Sequence, residues 1–508
     1  MKNIVNEVYM SKEDVIHKII SESKKSALKW LDFEMLPKVK WKDSNDECPQ
    51  EYLRAILLSY SKYTDICVNS EGEELAGNLD KESFSYFIDN VFDIWIDGGA
   101  DTKKKYILNL ASAYGSDLTI NKLVSCIKKW SEGLRKVMAC NALKALSLHK
   151  GCDVLKKIYV IFEENKAYAV KVAAQNILEE VSKNLNMGFD ELCDRLVPTL
   201  GFNSYGEKIY DYGSRKFTAK IGPRNKLEVY DENKKKFKTI PKVSVKDDMI
   251  KAQESYEELK KLQKRIKETV KIQSMRIDGF LSRGRKWTSE SWRNLFIANP
   301  IMHEFAVCII WGLYNNGELE QSFRYCGDGS FTDINGDDFS LDEDYENNIS
   351  IGIVHPLELE ASEIEKWKNQ LDDYELIQPI DQLYRKVFIL DNEQGNSKSI
   401  NLIEGKTIKN IDIIGKYGHK KENFYDTVIY GREDKIYRFF DDLSYLSEIV
   451  IKADEITLKI YKCDKVYCRS ELKSIGEAEG ELMMFKEVPG RVISEAVLSM
   501  DKVLVYND

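Results

Sequence analysis

KFTAKIGPRNKLEVYDENKKKFKTI, residues Lys216–Ile240, decides the fold class of this chain. Three short segments alternate apolar and polar residues: FTAKI, KLEVY and KKFKTI. Gly222-Pro223 and Asp231-Glu232-Asn233 separate them. Alternation at a period of two, bounded by turn residues, predicts a β-hairpin or small meander. Nothing of this texture occurs earlier, and the change sets in after Pro198.

Upstream, residues 1–200 read as one helix after another. Ser11 starts the first, with Glu13 and Asp14 in its first turn and Val15, Ile16, Ile19 and Ile20 as its apolar face. Thr119 is the expected cap of a helix carrying Leu123, Ile127 and Trp130. Arg135–Leu148, Asp153–Phe162 and Tyr168–Leu185 follow. Helix pairs recur roughly every 35–45 residues, which suits an irregular α-solenoid of the HEAT type. A plain helical bundle is the alternative, because no strict repeat is present.

Downstream, Asp247–Leu281 predicts a long amphipathic helix, with Leu259, Leu262, Ile266, Val270, Ile277 and Leu281 along one side. Thr288 can cap a second helix. From Phe305 onward strands, turns and short helices alternate. Strands are expected at Val307–Leu313, Glu320–Tyr325, Ser350–Val354, Lys386–Leu390, Thr427–Tyr430, Lys435–Phe440, Ile449–Ile451 and Glu455–Tyr461. The predicted fold is therefore α+β: an all-helical HEAT-like region at 1–200, a β-hairpin with a long helix at 201–290, and a mixed domain with a largely antiparallel sheet at 291–508.

Composition narrows the function. At 508 residues, 43% hydrophobic and 31% charged, the chain can bury substantial cores. A net charge of −9 argues against a general nucleic-acid binder. Charge is uneven, however. Basic residues outnumber acidic ones 23 to 13 over 204–290, and acidic outnumber basic 20 to 5 over 318–393. The two fields either complement each other or a partner, or the basic one is a nucleic-acid surface on which Tyr205, Tyr210, Tyr212 and Phe217 stack bases. The longest apolar stretch, Phe305–Trp311, is far too short to span a bilayer. No signal peptide is legible, and the ten cysteines lie scattered in apolar patterns. A cytoplasmic, reduced protein is expected.

A second stretch, His355–Phe388, packs motifs with little filler: HPLELEASEIEKWKNQLDDYELIQPIDQLYRKVF. Proline keeps His355 extended, so a strand ends there and Pro356 opens a turn. Ser362 and Glu365 form a capping-box pattern, and Ile364, Trp367 and Leu371 share one helix face, with Trp367 as the core anchor. The order of these motifs resembles the bacterial domain of unknown function in proteins of the MolR type, named after the molybdate metabolism regulator. The likeness continues through Asp194-Arg195-Leu196, Asp211-Tyr212-Gly213, Ile240-Pro241-Lys242, Gly284-Arg285, Trp311-Gly312 and Ser494-Glu495. Around Lys416–Asp426 the family's Arg-Gly-Trp pattern is reduced to Lys-Tyr-Gly. The resemblance implies a HEAT-like region upstream of the domain and no settled activity.

The candidate chemistry is sparse. His355 either bonds locally and fixes its corner or is a catalytic or metal-binding residue. Asp372-Asp373-Tyr374-Glu375 could hold a cation or act as general acid or base, or its carboxylates end a helix and pair with Arg385 or Lys386. Gln378 and Gln382, with amides suited to bracing a loop or touching a ligand, flank Pro379. Ser282-Arg283-Gly284-Arg285-Lys286 is a basic, glycine-bearing loop, solvated or anion-binding, with Arg283 and Arg285 as candidate ligand contacts.

No metal site or cofactor motif is expected. The five histidines show no paired spacing, Cys463 and Cys468 lack a second pair, and Asp328–Asp338 does not follow a calcium loop. P-loop, dinucleotide-binding and nucleophile-elbow patterns are missing. The leading expectation is a non-enzymatic cytoplasmic interaction or regulatory protein with a protein partner. The alternatives are an enzyme built on His355, Asp373, Tyr374, Glu375, Gln378 and Arg385, and a nucleic-acid-associated factor using residues 204–290.

Overall fold

The computed structural model describes residues 12–23, 26–63, 65–149, 151, 153–341, 349–402, 430–432, 435–440, 444–451, 455–463 and 480–504. The expected strand at Thr427–Tyr430, except Tyr430, and the segment Lys416–Asp426 lie outside these residues. So do the helix start at Ser11, His419 and Cys468. The chain divides into two compact units, Met1–Leu196 and Val197–Asp508. Its class is α+β, with a helical N-terminal unit and antiparallel sheets in the second.

The described part of the first unit holds helices α1 (Lys12–Glu22), α2 (Gln50–Ser61), α3 (Ser70–Ala76), α4 (Lys81–Asp97), α5 (Ile107–Tyr114), α6 (Asp117–Glu132), α7 (Lys136–Ser147), α8 (Asp153–Glu164), α9 (Tyr168–Asn184) and α10 (Phe189–Leu196). Asp80 begins α4 by accepting the Ser83 amide at 2.9 Å, satisfying one of the first-turn donors. α6 starts earlier than its sequence suggests. Ser116 holds the extended cap position, and Thr119 lies buried inside the helix. Ile120, Leu123, Ile127 and Trp130 form the buried face of α6, at the spacing expected.

The second unit opens with the meander: β1 (Glu207–Asp211), β2 (Lys216–Gly222), β3 (Lys226–Asp231) and β4 (Lys236–Phe237), all antiparallel. Tyr210, Phe217, Ala219 and Val229 cover one side and pack on Ala252, Leu259, Leu262 and Ile266 of α11 (Met249–Arg283). Full burial of each such side chain is worth roughly 1.5–3 kcal/mol. Asp248 caps α11, accepting the amides of Ile250 and Lys251. Asp247 is instead locked by Arg215 (Nε–Oδ1 2.9 Å), Ser214 Oγ and the Ser244 amide.

A six-stranded antiparallel sheet follows, in the order β5-β10-β6-β7-β8-β9. Its strands are β5 (Lys286–Trp287), β6 (Ile310–Asn315), β7 (Glu318–Tyr325), β8 (Phe331–Thr332), β9 (Asp338–Phe339) and β10 (Ile349–Ile353). Between β5 and β6 lie α12 (Ser289–Trp292), which Thr288 caps as expected, and α13 (His303–Cys308). The strand expected from Val307 thus begins at Ile310, because α13 occupies the start of that apolar run. Trp287, Trp292, Phe296 and Trp311 meet edge to face or tilted beneath this sheet, Trp292 and Trp311 at 5.1 Å.

After β10, a turn at Pro356–Glu358 leads into α14 (Ala361–Asp373). Its opening is bonded by Glu360 and Glu363, not by Ser362 and Glu365, with the Glu360 amide donating to Glu363 Oε2 at 2.8 Å. Trp367 is fully buried and donates to Ser322 Oγ at 3.0 Å, so it anchors α14 to β7. Lys386–Leu390 forms no strand. A short helix, α15 (Asn392–Gly395), leads to the last sheet.

That sheet runs β11-β15-β14-β13-β12, with β16 also on β15. The strands are β11 (Ile400–Asn401), β12 (Tyr430–Arg432), β13 (Lys435–Phe440), β14 (Tyr445–Ile451), β15 (Ile456–Lys462) and β16 (Glu481–Leu482). Phe440, Ile449, Ile456, Leu458 and Ile460 pack against Val492, Ile493 and Ala496 of α16 (Gly490–Leu504).

Candidate functional site

His355 is extended as expected but lies two residues beyond β10, which ends at Ile353, and is wholly buried. Its Nδ1 accepts the Leu357 amide at 3.2 Å, so Nε2 carries the proton and donates to Glu495 Oε1, also at 3.2 Å. Glu495, on α16, is equally buried. Arg385 grips the same carboxylate with Nε and Nη2, the latter at 2.7 Å, while its Nη1 reaches Asp278 of α11 at 2.6 Å. Arg438 from β13 donates to the Glu495 carbonyl at 3.0 Å and to Ser282 Oγ. His355 and Arg385 thus hold one buried carboxylate, with α11 joined to it through Arg385 and β13 through the Glu495 backbone carbonyl.

Burial alone would raise the Glu495 pKa, but the bonds from Arg385 and His355 and the nearby Arg438 charge hold it well below the ordinary carboxylate value. A group whose folded pKa is depressed stabilises above its unfolded value, near 4.3 for Glu, and loses that contribution as pH falls towards the folded value. The second unit is therefore expected to lose stability on acidification below about pH 4. Urea unfolding at pH 6 and at lower pH reads this, and E495Q should flatten that part of the profile. A wild-type profile equally steep in E495Q would count against the assignment.

The glutamines brace. The Gln382 side chain exchanges both amide bonds with Ile310: the Ile310 amide donates to Oε1 at 3.0 Å, and Nε2 donates to the Ile310 carbonyl at 2.7 Å. Nε2 also reaches the Val354 carbonyl at 2.9 Å. It acts as one more rung where β6 begins and β10 ends. Gln378 Nε2 donates to Gln382 Oε1 at 2.7 Å, and its own Oε1 accepts the Leu383 amide.

Asp373, Tyr374 and Glu375 lie elsewhere, exposed at the C-terminal end of α14. The Tyr374 ring lies under the Arg324 guanidinium at 4.5 Å, and Glu375 takes the left-handed conformation that ends the helix. Arg385, one of the two cations expected to pair with this cluster, is turned to Glu495 and Asp278 instead. The structure therefore brings together His355, Gln378, Gln382 and Arg385 on buried partners and leaves Asp373, Tyr374 and Glu375 on the surface. Among the described residues, no group of three or more His, Cys, Asp or Glu is placed to hold a metal ion.

The expected basic loop Ser282–Lys286 is mostly regular structure: Ser282 and Arg283 end α11 and Lys286 begins β5, with Gly284-Arg285 between them. Arg283 is buried against the Phe280 ring. Arg285 and Lys286 are half-buried and line a pocket of about 390 Å³ together with Tyr314, Glu318, Glu358 and Arg491. Glu358 links this pocket to the ionic centre, accepting both the Tyr314 hydroxyl at 2.9 Å and the His355 amide at 2.7 Å. Burial, reinforced by the Glu358 charge, holds the Tyr314 hydroxyl well above its ordinary pKa. Within 204–290, Lys208, Arg215, Lys220, Lys236 and Lys251 face carboxylates from the same stretch.

Sequence reasoning missed Asp278, Arg438, Glu495 and Arg491 as site residues. Glu495 had a legible signal. It falls three residues after Val492 and one before Ala496, on the apolar stripe of α16, and a charge there requires a partner.

Neither the matching family nor the curated relative carries a described activity. Residues 235–417 match the model of a family described as a domain of unknown function, DUF4132. A curated relative, the uncharacterized protein YehI of Escherichia coli strain K12, is 27% identical over 362 residues. That alignment covers 70% of this chain and 30% of the relative, so the chain spans about a third of the relative's length. No solved structure matches. No helix among the described residues is long and apolar enough to cross a membrane.

Proposed function

We propose that this protein is a non-enzymatic, cytoplasmic interaction or regulatory protein. In this reading the helical unit is a HEAT-like array that carries a protein partner. The meander with its helix and the domain that follows, 201–290 and 291–508, form one MolR-type module.

One observation carries the reading. In the first unit α5 packs on α7 and α7 on α9, while α6 packs beside α7 and α8 beside α9. Stacking of alternate helices in two layers is how solenoid repeats build an extended binding face. Leu134 and Val137, at the turn from α6 to α7, are 105% and 77% exposed, and apolar residues at such a turn suit a protein contact. The bracing roles of His355, Gln382 and Arg385 favour this over an enzyme built on His355 with Asp373, Tyr374 and Glu375. The pairing of basic residues within 204–290 favours it over a nucleic-acid factor.

The test is affinity capture of the whole chain at native expression, beside an L134D/V137D variant. A partner recovered by the wild type and lost by the variant is the expected result. Absence of any stable protein partner of the wild type would overturn the proposal.

A further inference from the structure

Over residues 128–137, which close α6 and open α7, basic residues outnumber acidic ones four to one. Lys128, Lys129 and Lys136 are exposed there beside Leu134 and Val137, with Glu132 as the acid. The bias extends further, to eleven basic against four acidic residues over 122–171. We propose, on the reading of this turn as a protein contact, that the segment docking on it is acidic and carries apolar side chains that cover Leu134 and Val137.

The lysines keep their charge open. Among the described residues, no carboxylate pairs with Lys128, Lys129 or Lys136. Lys122, earlier on α6, is by contrast paired with Asp93 at 2.6 Å. The start of α7 is open as well. No side chain caps it, and the first amides of a helix have no acceptor within the helix. α7 is 12 residues long, so its N-terminus carries a partial positive charge that favours a carboxylate. A partner carboxylate set between Lys136 and these amides supplies the missing cap.

The turn is fixed before anything docks. Arg135 donates to the carbonyls of Gly99, at 3.0 Å, and Ala100, and its guanidinium lies 5.3 Å from the Trp130 ring centre. These bonds set the path from α6 to α7, so docking pays little ordering cost there. They also occupy Arg135, which leaves the lysines as the cations for a partner.

Reach separates a short acidic segment from a larger polyanion. Attraction between exposed charges fades over roughly 8–10 Å at physiological salt. A short segment therefore feels the local lysines. A membrane or a nucleic acid extends past them and meets a chain of net charge −9, with fourteen acidic against three basic residues over 43–101 of the same unit.

The test is fluorescence anisotropy of the full chain with a short labelled peptide of glutamates and leucines. Its binding should weaken as salt is added, and versions with lysine for glutamate or serine for leucine should bind at least about tenfold more weakly. K128Q/K129Q/K136Q and L134S/V137S should each lower its affinity about tenfold or more. All five side chains are exposed, so both variants should melt with the wild type. No binding of the peptide up to about 1 mM, unchanged affinity in the lysine variant, or binding to phosphatidylserine vesicles in place of the peptide overturns the proposal. Affinity capture with the same lysine variant separates this inference from the reading beneath it. A native partner lost by L134D/V137D but kept by K128Q/K129Q/K136Q leaves the docking turn and removes the acidic segment, whereas a partner kept by both removes the turn itself.

Discussion

Replacing Glu495 with glutamine is expected to destabilise the second unit by about 3–5 kcal/mol, the range for breaking a buried pair from one side. The reason is asymmetric. Arg385 remains charged, and its side chain is only 4% exposed, so the loss of Glu495 leaves it with Asp278 alone among its two carboxylate partners. The glutamine oxygen still accepts the His355 Nε2 proton, but its NH2 group then faces the Arg385 Nη2 donor where Oε2 accepted it. Glutamine preserves the shape of the site, so packing loss is not a competing explanation. Urea unfolding reports the effect, with hydrogen exchange in α16 and β13 as a local readout. An apolar replacement of both partners, E495L with R385M, should recover much of the loss, because the desolvation cost of the two charges then disappears. An E495Q protein as stable as the wild type would remove the ionic centre from the account.

The second large effect is expected from Gln382→Ala. Gln382 is fully buried, and its side chain satisfies the amide and carbonyl of Ile310 and the carbonyl of Val354. Truncation leaves these backbone groups without that partner in a water-excluded place and adds a small cavity. The Ile310 carbonyl keeps the Val354 amide, so two groups, the Ile310 amide and the Val354 carbonyl, lose their side-chain partner; at roughly 1–3 kcal/mol each, a total of about 3 kcal/mol is expected. The loss should concentrate where β6 starts and β10 ends.

Much of the fold was legible because it follows from local patterns. The alternation in Lys216–Ile240 predicted three strands that do form, and the apolar side of α11 matched its buried face through Leu259, Leu262 and Ile266. Errors fell where tertiary partners decide. Lys386–Leu390 alternates well enough for a strand, but the Phe388 amide donates to Ser494 Oγ rather than to a neighbouring strand. Thr119 has the chemistry of a cap, yet Ser116 reaches the helix start first.

The candidate site was legible only in part. His355 and Gln382 were singled out, the first mainly as a local brace and the second as either a brace or a ligand contact. Their partners could not be read, because Ile310, Val354 and Glu495 lie 28 to 140 residues away and no local spacing encodes them. Asp373, Tyr374 and Glu375 looked like chemistry for the opposite reason: residues adjacent in sequence suggested a cluster. The helix end turns them to the surface, away from His355.

The central claim is that the polar residues of His355–Phe388 divide into a buried brace and an exposed group that takes no part in it. Hydrogen exchange of Ile310–Asn315 and Ile349–Ile353, compared between Q382A and D373N/E375Q, tests it most directly. The account predicts markedly faster exchange of both strands in Q382A and wild-type exchange in D373N/E375Q. Unchanged protection in Q382A, or loss of protection in D373N/E375Q, would contradict it.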